Sequence, residues 1–301
     1  MLGPMRIFLS LLCCVFFIAP AVAQTTLQVV TKRIDKDFAY RDGYEVNIDG
    51  DRAEVYIESW DQPTIRVHLE LIAKNVDREQ AEQDLERMQY GAQKDKNKIY
   101  LRNYLSMPDG APKPESQLKA VYRIYLPEQC PVYLKNNYGL ANISNLINKL
   151  RINSRFTRIG LDNIQGVTDI NTQFGDLFGQ NLNGEVSVVS RRSDITLKNM
   201  KGRYDINAQY GLLRLYAANE GLLGLDLHAD KSQVFLYNSK LTAFSYDLTV
   251  QNGRLDSPNE LKFKILDQKD PNIRKVTFRP NKEYYPNMTI SITFGDLTIG
   301  K

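Results

Sequence analysis

The chain has 301 residues, 25% of them charged and 43% hydrophobic, with a formal net charge of +4 at pH 7. Lys, Arg, Asp and Glu are mixed along the sequence with no dominant basic stripe, which argues against nucleic acid as the partner. The length suffices for a large core, and a repeat architecture would spare a chain of this size from splitting into domains.

The first 23 residues read as a signal peptide. Arg6 is their only basic residue, and it precedes the apolar run from Ile7 to Ile18, then Pro20 and Ala21-Val22-Ala23, so cleavage is expected after Ala23. Met5 is an alternative start. The apolar run is shorter than the ~20 residues a bilayer span needs, and no later stretch approaches that length, so no integral membrane span is expected. A lipid anchor at Cys13 or Cys14 would require a small residue before the cysteine, which neither has. Processing leaves Cys130 alone, so no internal disulfide is expected in this exported chain. Lying between Leu126-Pro127 and Pro131-Val132, Cys130 reads as a buried small hydrophobe rather than a nucleophile.

Residues 24–131 read as a strand-rich N-terminal cap. Val46 to Ile57 and Ile65 to Ile72 alternate as strands around Trp60-Asp61-Gln62-Pro63. One helix is expected over about 78–90, with Asp77 and Gln80 as a capping box, Ala81, Leu85 and Met88 as its apolar face, and Gly91 as its stop. The polar, Pro-rich stretch over about 92–119 reads as a mobile loop.

Residues 132–243 carry a repeat of period 18. Tyr138, Phe156, Phe174 and Tyr210 share one column, with Arg192 on the missing rung. Leu134, Ile152, Ile170, Val188 and Ile206 form a second, and Asn145, Asn163, Asn181 and Asn199 a third. Ile143, Leu161, Leu197 and Leu215 form a fourth, in which Gly179 departs. A short rung cannot bury its apolar face alone, but copies stacked ~4.8 Å apart build one core column by column. The fold expected is therefore all-β, a parallel β-solenoid (β-helix) with about 18 residues per coil. The period then slips to 21, with Ile206 to Leu227 and Leu213 to Val234, which predicts a bulge near Asn219-Glu220-Gly221. Residues 244–301 read as irregular rungs and a C-terminal cap, with Phe294-Gly295-Asp296-Leu297 closing the stack as a final rung.

The phrases Tyr138-Gly139, Phe174-Gly175-Asp176-Leu177, Tyr210-Gly211 and Phe294-Gly295-Asp296-Leu297-Thr298-Ile299, behind a signal peptide and a strand-rich leader, resemble the bacterial "putative-adhesin" family of exported β-strand-repeat proteins of unknown function. The resemblance spans roughly residues 40 to 301 and implies a β-helical protein of the bacterial envelope. It supplies no catalytic residues. Arg192 and Lys231 stand where an aromatic is expected, which interrupts the aromatic column.

The search for chemistry weighs an enzyme against a binding protein. The columns place Arg158, Asp176 and Asp194 at one position of successive rungs, and Arg151 and Asp169 at another. Two carboxylates about 5–6 Å apart would suit a retaining glycosidase, whereas an outward charge ladder needs no chemistry, and the ladder is the reading adopted. His68 and His228 lack ligand-spaced neighbours and read as strand-face residues. Trp60, Tyr100, Tyr104, Tyr284 and Tyr285 are candidates for stacking on sugar rings, against a plainer role in cap and edge packing. No catalytic, cofactor-binding or metal residue is assigned, and no cofactor is implied. The function expected is a non-enzymatic exported envelope protein, in the periplasm, at the outer membrane or on the cell surface, that presents a surface to a glycan or protein. The alternatives are a glycan-active enzyme on a β-helix and a self-assembling structural component.

Overall fold

A computed structural model describes residues 26–267, 270–281 and 283–301. The expected signal peptide over residues 1–23, with Met5, Cys13 and Cys14, lies outside the described residues. Strand makes up 69% of the structure. Among the described residues the N-terminal half holds β1 (Gln28–Ala39), β2 (Glu45–Asp51), β3 (Ala53–Trp60), β4 (Thr64–Asn75), the helix α1 (Arg78–Glu86), β5 (Met88–Asp95), β6 (Lys98–Leu105) and β7 (Gln117–Pro127). The long strands β8 (Val132–Leu146), β9 (Lys149–Gln173), β10 (Leu177–Arg191), β11 (Ile195–Gln209) and β12 (Leu212–Asp230) follow. The C-terminal part holds β13 (Gln233–Tyr237), β14 (Ser245–Gln251), β15 (Leu255–Asp256), β16 (Lys264–Asp267), β17 (Ile273–Phe278), β18 (Asn287–Thr293) and β19 (Leu297–Gly300).

All 19 strands belong to one hydrogen-bonded, mostly parallel sheet system. From β8 to β12 each strand pairs in parallel with the next at an offset of 18 residues, as in Leu134 with Ile152, Ile170 with Val188 and Ile195 with Leu213. The offset changes to 21 through register shifts between Lys198 and Arg203 on β11, opposite residues 216–224 of β12, where Gly221 has φ +89°. The expected slip and its place are both found.

Inward columns of register partners build the core, and two of them show the pattern. Leu101, Ile48, Leu134 and Ile152 are consecutive register partners, as are Ile170, Val188, Ile206, Leu227, Ile290, Leu248 and Val276; Ile152 and Ile170 lie one period apart on β9, and every one is buried. The second column runs through Ile57, Ile143, Leu161, Leu197 and Leu215. At Gly179 in this column, an added Cβ would lie 2.8 Å from Leu197 Cδ2 and 2.9 Å from Leu182 Cδ1, so its two neighbours already fill the space.

The corners explain why Gly follows the aromatic only on alternate rungs. Tyr138, Phe156, Phe174, Arg192 and Tyr210 all have φ between +52° and +59°, a region that costs a bulky residue about 1–2 kcal/mol. Stacking offsets this: ring centroids are 4.9 Å apart for Tyr138–Phe156 and 4.8 Å for Phe156–Phe174. Arg192 does not interrupt the column, because its guanidinium lies 5.6 Å from the Phe174 ring and 5.7 Å from Tyr210. The residue after each corner alternates Gly139, Thr157, Gly175, Ser193, Gly211 and Ser232. A Cβ on Gly175 would sit 2.1 Å from the Thr157 carbonyl oxygen, and one on Gly211 2.2 Å from that of Ser193. In turn Gly175 N–H donates to Ser193 Oγ and Gly211 N–H to Ser232 Oγ, so each of these serines is matched to the glycine of the rung before it, whereas the Thr157 hydroxyl donates to the Asn136 and Arg155 carbonyls.

Three expectations are corrected. The helix ends at Glu86, not near residue 90, and Gly91 lies inside β5. Asp77 caps it by accepting from Glu79 N–H, while Gln80 serves Asp84 instead of completing a capping box. Most of the first part of the stretch read as a mobile loop is strand: β5 and β6 form an antiparallel hairpin turned at Lys96, φ +53°, and its pairing overrides the weak local pattern. Phe294-Gly295-Asp296-Leu297 is not the last rung. β18 and β19 stack directly on β12 and β13, and β14 and β15 lie beyond them, because β14 also pairs antiparallel with β17 and so needs an outer place. At the other end, β2 and β3 likewise sit between β8 and the later strands β6 and β7.

Candidate functional site

The outward face of β4, β7, β3 and β8 to β10 carries two parallel columns of solvent-facing side chains. One runs His68, Arg123, Tyr56, Asn142, Gly160 and Phe178, and the other Arg66, Tyr125, Glu58, Ser144, Asp162 and Gln180. Alternation along each strand sends these residues out and the core columns in. Gly160 and Ser144 leave the middle of the face low between Tyr56 and Phe178, and a cleft of about 440 Å³ lies there. Asn142 leans into the space above Gly160, where an added Cβ would lie 2.4 Å from its Oδ1.

The cleft combines ring surface from Tyr56, Tyr125 and Phe178 with hydrogen-bonding groups from Glu58, Arg123, Asn142, Ser144 and Asp162. Arg123 lies 5.8 Å from the Tyr56 ring and 3.6 Å from Glu70, and Tyr125 packs 5.7 Å from Trp60. These contacts fix the wall rather than fill the cleft. Apolar ring surface beside amide, hydroxyl and carboxylate groups suits a polyhydroxylated ligand, whose C–H faces pack on rings while its hydroxyls exchange hydrogen bonds.

The residues singled out from sequence do not converge here. Asp176 and Asp194 are tied into the backbone, with Asp176 Oδ1 accepting from Asp194 N–H at 3.2 Å and Asp194 Oδ1 from Leu212 N–H at 3.0 Å. Arg151 and Asp169 form an exposed ion pair at 3.1 Å. His68 contacts Asp35, and His228 lies 3.4 Å from Asp226, both on exposed strand faces. Trp60 is half-buried at the end of this face, with Arg66 over its ring and its indole N–H donated to the Thr64 carbonyl. Tyr100 pairs with Asn47 on the other sheet face, Tyr104 sits beside Arg102, and Tyr284 and Tyr285 lie in the segment before β18. Cys130 is fully buried, and burial pushes its thiol up to about 12, which leaves it inert as a nucleophile. Sequence reasoning missed Tyr56, Tyr125, Asn142 and Phe178; the available clue was Gly160 breaking an outward column at the 18-residue period.

Among the described residues no helix is long and apolar enough to cross a membrane. No family model matches the chain, and no curated protein matches it significantly. Three solved structures are similar over most of their length. A "putative cell adhesion protein" from Clostridium sporogenes is 12% identical, with 90% of this chain and 99% of that chain covered, at a TM-score of 0.30. A "putative adhesin" from Parabacteroides merdae is 12% identical, with 90% and 97% covered, at 0.44. A "putative lipid binding protein" from Parabacteroides distasonis is 10% identical, with 89% and 96% covered, at 0.39. At such identities and scores these likenesses assign no activity, and function has to be read from the cleft and the surfaces around it.

Proposed function

We propose that this chain is a non-enzymatic, exported envelope protein, a parallel β-solenoid that binds a glycan on the outward face around Gly160. The solenoid reading is supported by the 18-residue register that runs from β8 to β11 and into the start of β12, by the 21-residue offset that continues it, and by core columns that continue through both ends. The observation that carries the binding role is the cleft itself, where Tyr56 and Phe178 stand on either side of Asn142 and Gly160 in one column. A second reading, a glycan-active enzyme, draws on Glu58 and Asp162, which flank Ser144 in the neighbouring column. Two rungs at ~4.8 Å place their backbones roughly 9–10 Å apart, close to the ~6.5–9.5 Å between carboxyl groups in inverting glycosidases. Asp162 Oδ1, however, accepts from Asn181 Nδ2 at 3.0 Å, a corner contact that gives the carboxylate a structural role.

The test is binding of the purified chain to a glycan panel and envelope fractions, with product analysis on every hit. Saturable binding without product, weakened about tenfold by Tyr56→Ala with Asn142→Ala, is expected, since a few central contacts dominate such sites. Turnover that disappears in Glu58→Ala or Asp162→Ala would establish the enzyme instead.

A further inference from the structure

The corner ridge beside this face carries a cluster of cations without a carboxylate partner among the described residues. Arg155, Arg158, Arg191 and Arg192 are all exposed, and among the described residues none has a carboxylate oxygen within 4.0 Å. Arg33, Arg66, Arg151, Arg254 and Arg279 are each paired with an acid, while Arg41, Arg102, Arg203 and Arg274 are exposed without one among the described residues; the ridge differs in gathering four such arginines at neighbouring positions of its rungs. The nearby acids Asp176 and Asp194 have carboxylate oxygens engaged by backbone N–H groups.

Arg155 and Arg191 occupy one column two periods apart, roughly 9.6 Å along the stack at ~4.8 Å per rung. Arg192 stands in the ring column between Phe174 and Tyr210. The four arginines thus flank one corner of the stack on two of its rungs, Arg155 and Arg158 on one and Arg191 and Arg192 two periods further along. Planar guanidinium forks match carboxylate and sulfate oxygens better than they match neutral hydroxyls. The ridge offers nothing to nucleobases, because the faces of Phe156 and Phe174 are taken up by stacking on each other and on their column neighbours.

We propose that the Arg155–Arg158–Arg191–Arg192 ridge is a binding track for an acidic polysaccharide lying along the stack axis. The track uses residues outside the cleft and goes beyond a neutral glycan site there. The experiment is titration of the chain with polygalacturonate, heparin, neutral dextran and a single-stranded oligonucleotide at low and high salt. Binding of polygalacturonate or heparin that weakens with salt, with no dextran binding, is expected. Arg155→Gln, Arg158→Gln and Arg191→Gln together leave Arg192 in the ring column and should weaken that binding by about tenfold or more at an unchanged melting temperature. If the triple variant fails to fold, Arg191→Gln alone should weaken it by about two- to threefold. Unchanged affinity in the folded variants, or an oligonucleotide bound as tightly as the acidic glycans, overturns the proposal. A ligand lost with Tyr56→Ala but retained by the arginine variants marks the cleft, so the two sites fail separately.

Discussion

The repeat from β8 to β12 and the N-terminal region from β1 to β7 bury the same kind of core, yet they fix their register by opposite means. In the repeat, a strand's neighbour is the segment one period away in sequence, and the glycines after the corners pack against the backbone of the rung below. In the N-terminal region the neighbours are remote. β2 pairs with β6 and β8, β3 with β7 and β8, and β4 runs antiparallel to both β1 and β7. There, side chains and the helix hold the arrangement. Asp84 of α1 is fully buried and accepts from the backbone N–H groups of Glu115 and Ser116, which anchors the polar segment before β7. The comparison teaches that backbone contact sets register where the chain repeats, and side-chain contact sets it where the chain does not.

A glycine in each region separates the two modes most sharply. Gly175→Ala places a Cβ against backbone and should cost about 3 kcal/mol or more, read as a lowered denaturant midpoint. Gly91→Ala meets only the flexible side chain of Arg102, at 3.3 Å, and should stay within about 0.5 kcal/mol of the parent. Equal effects would break the comparison. The next effect concerns acid. Burial pushes the Asp84 carboxyl up, but the hydrogen bonds from Ser116, Gln80 and Glu115 outweigh it, and the net shift is downward. A lowered folded pKa contributes stability above the unfolded value, about 3.9, and that stability is lost as pH falls through the folded value. Melting followed below about pH 4 should therefore fall less steeply in Asp84→Asn than in the parent, and parallel curves would remove Asp84 from the account. The smallest effect is a gain. Tyr122 is buried on β7 with a hydroxyl that has no hydrogen-bond partner among the described residues, so Tyr122→Phe should leave stability unchanged or raise it by about 1 kcal/mol.

The parts of the fold legible in sequence were those written at a fixed spacing. The Ile170 column, the slip to 21 at Ile206–Leu227 and the corner asparagines all follow from periodicity, and the structure places them in register. The asparagines bond in pairs, Asn163 to Asn145 and Asn199 to Asn181, rather than in one run. The β5–β6 hairpin and the inner placement of β18 and β19 were not legible, since each depends on pairing between strands with no shared period. The cleft lay beyond sequence reading for the same reason: Tyr56 and Tyr125 belong to non-repeating strands that reach Asn142 and Ser144 only through β3.

The alternation of glycine with a small hydroxyl residue at the corners sets the unit by which this chain can grow or shrink. Excising the one rung that carries Ser193 would bring Gly175 against Gly211 and strip the Gly175 N–H of its acceptor. Excising 36 would restore every match. Within β9 to β13 a pair of rungs is thus the unit that preserves these bonds, whereas at the C-terminal end the column closes with Gly253 lying directly on Gly295.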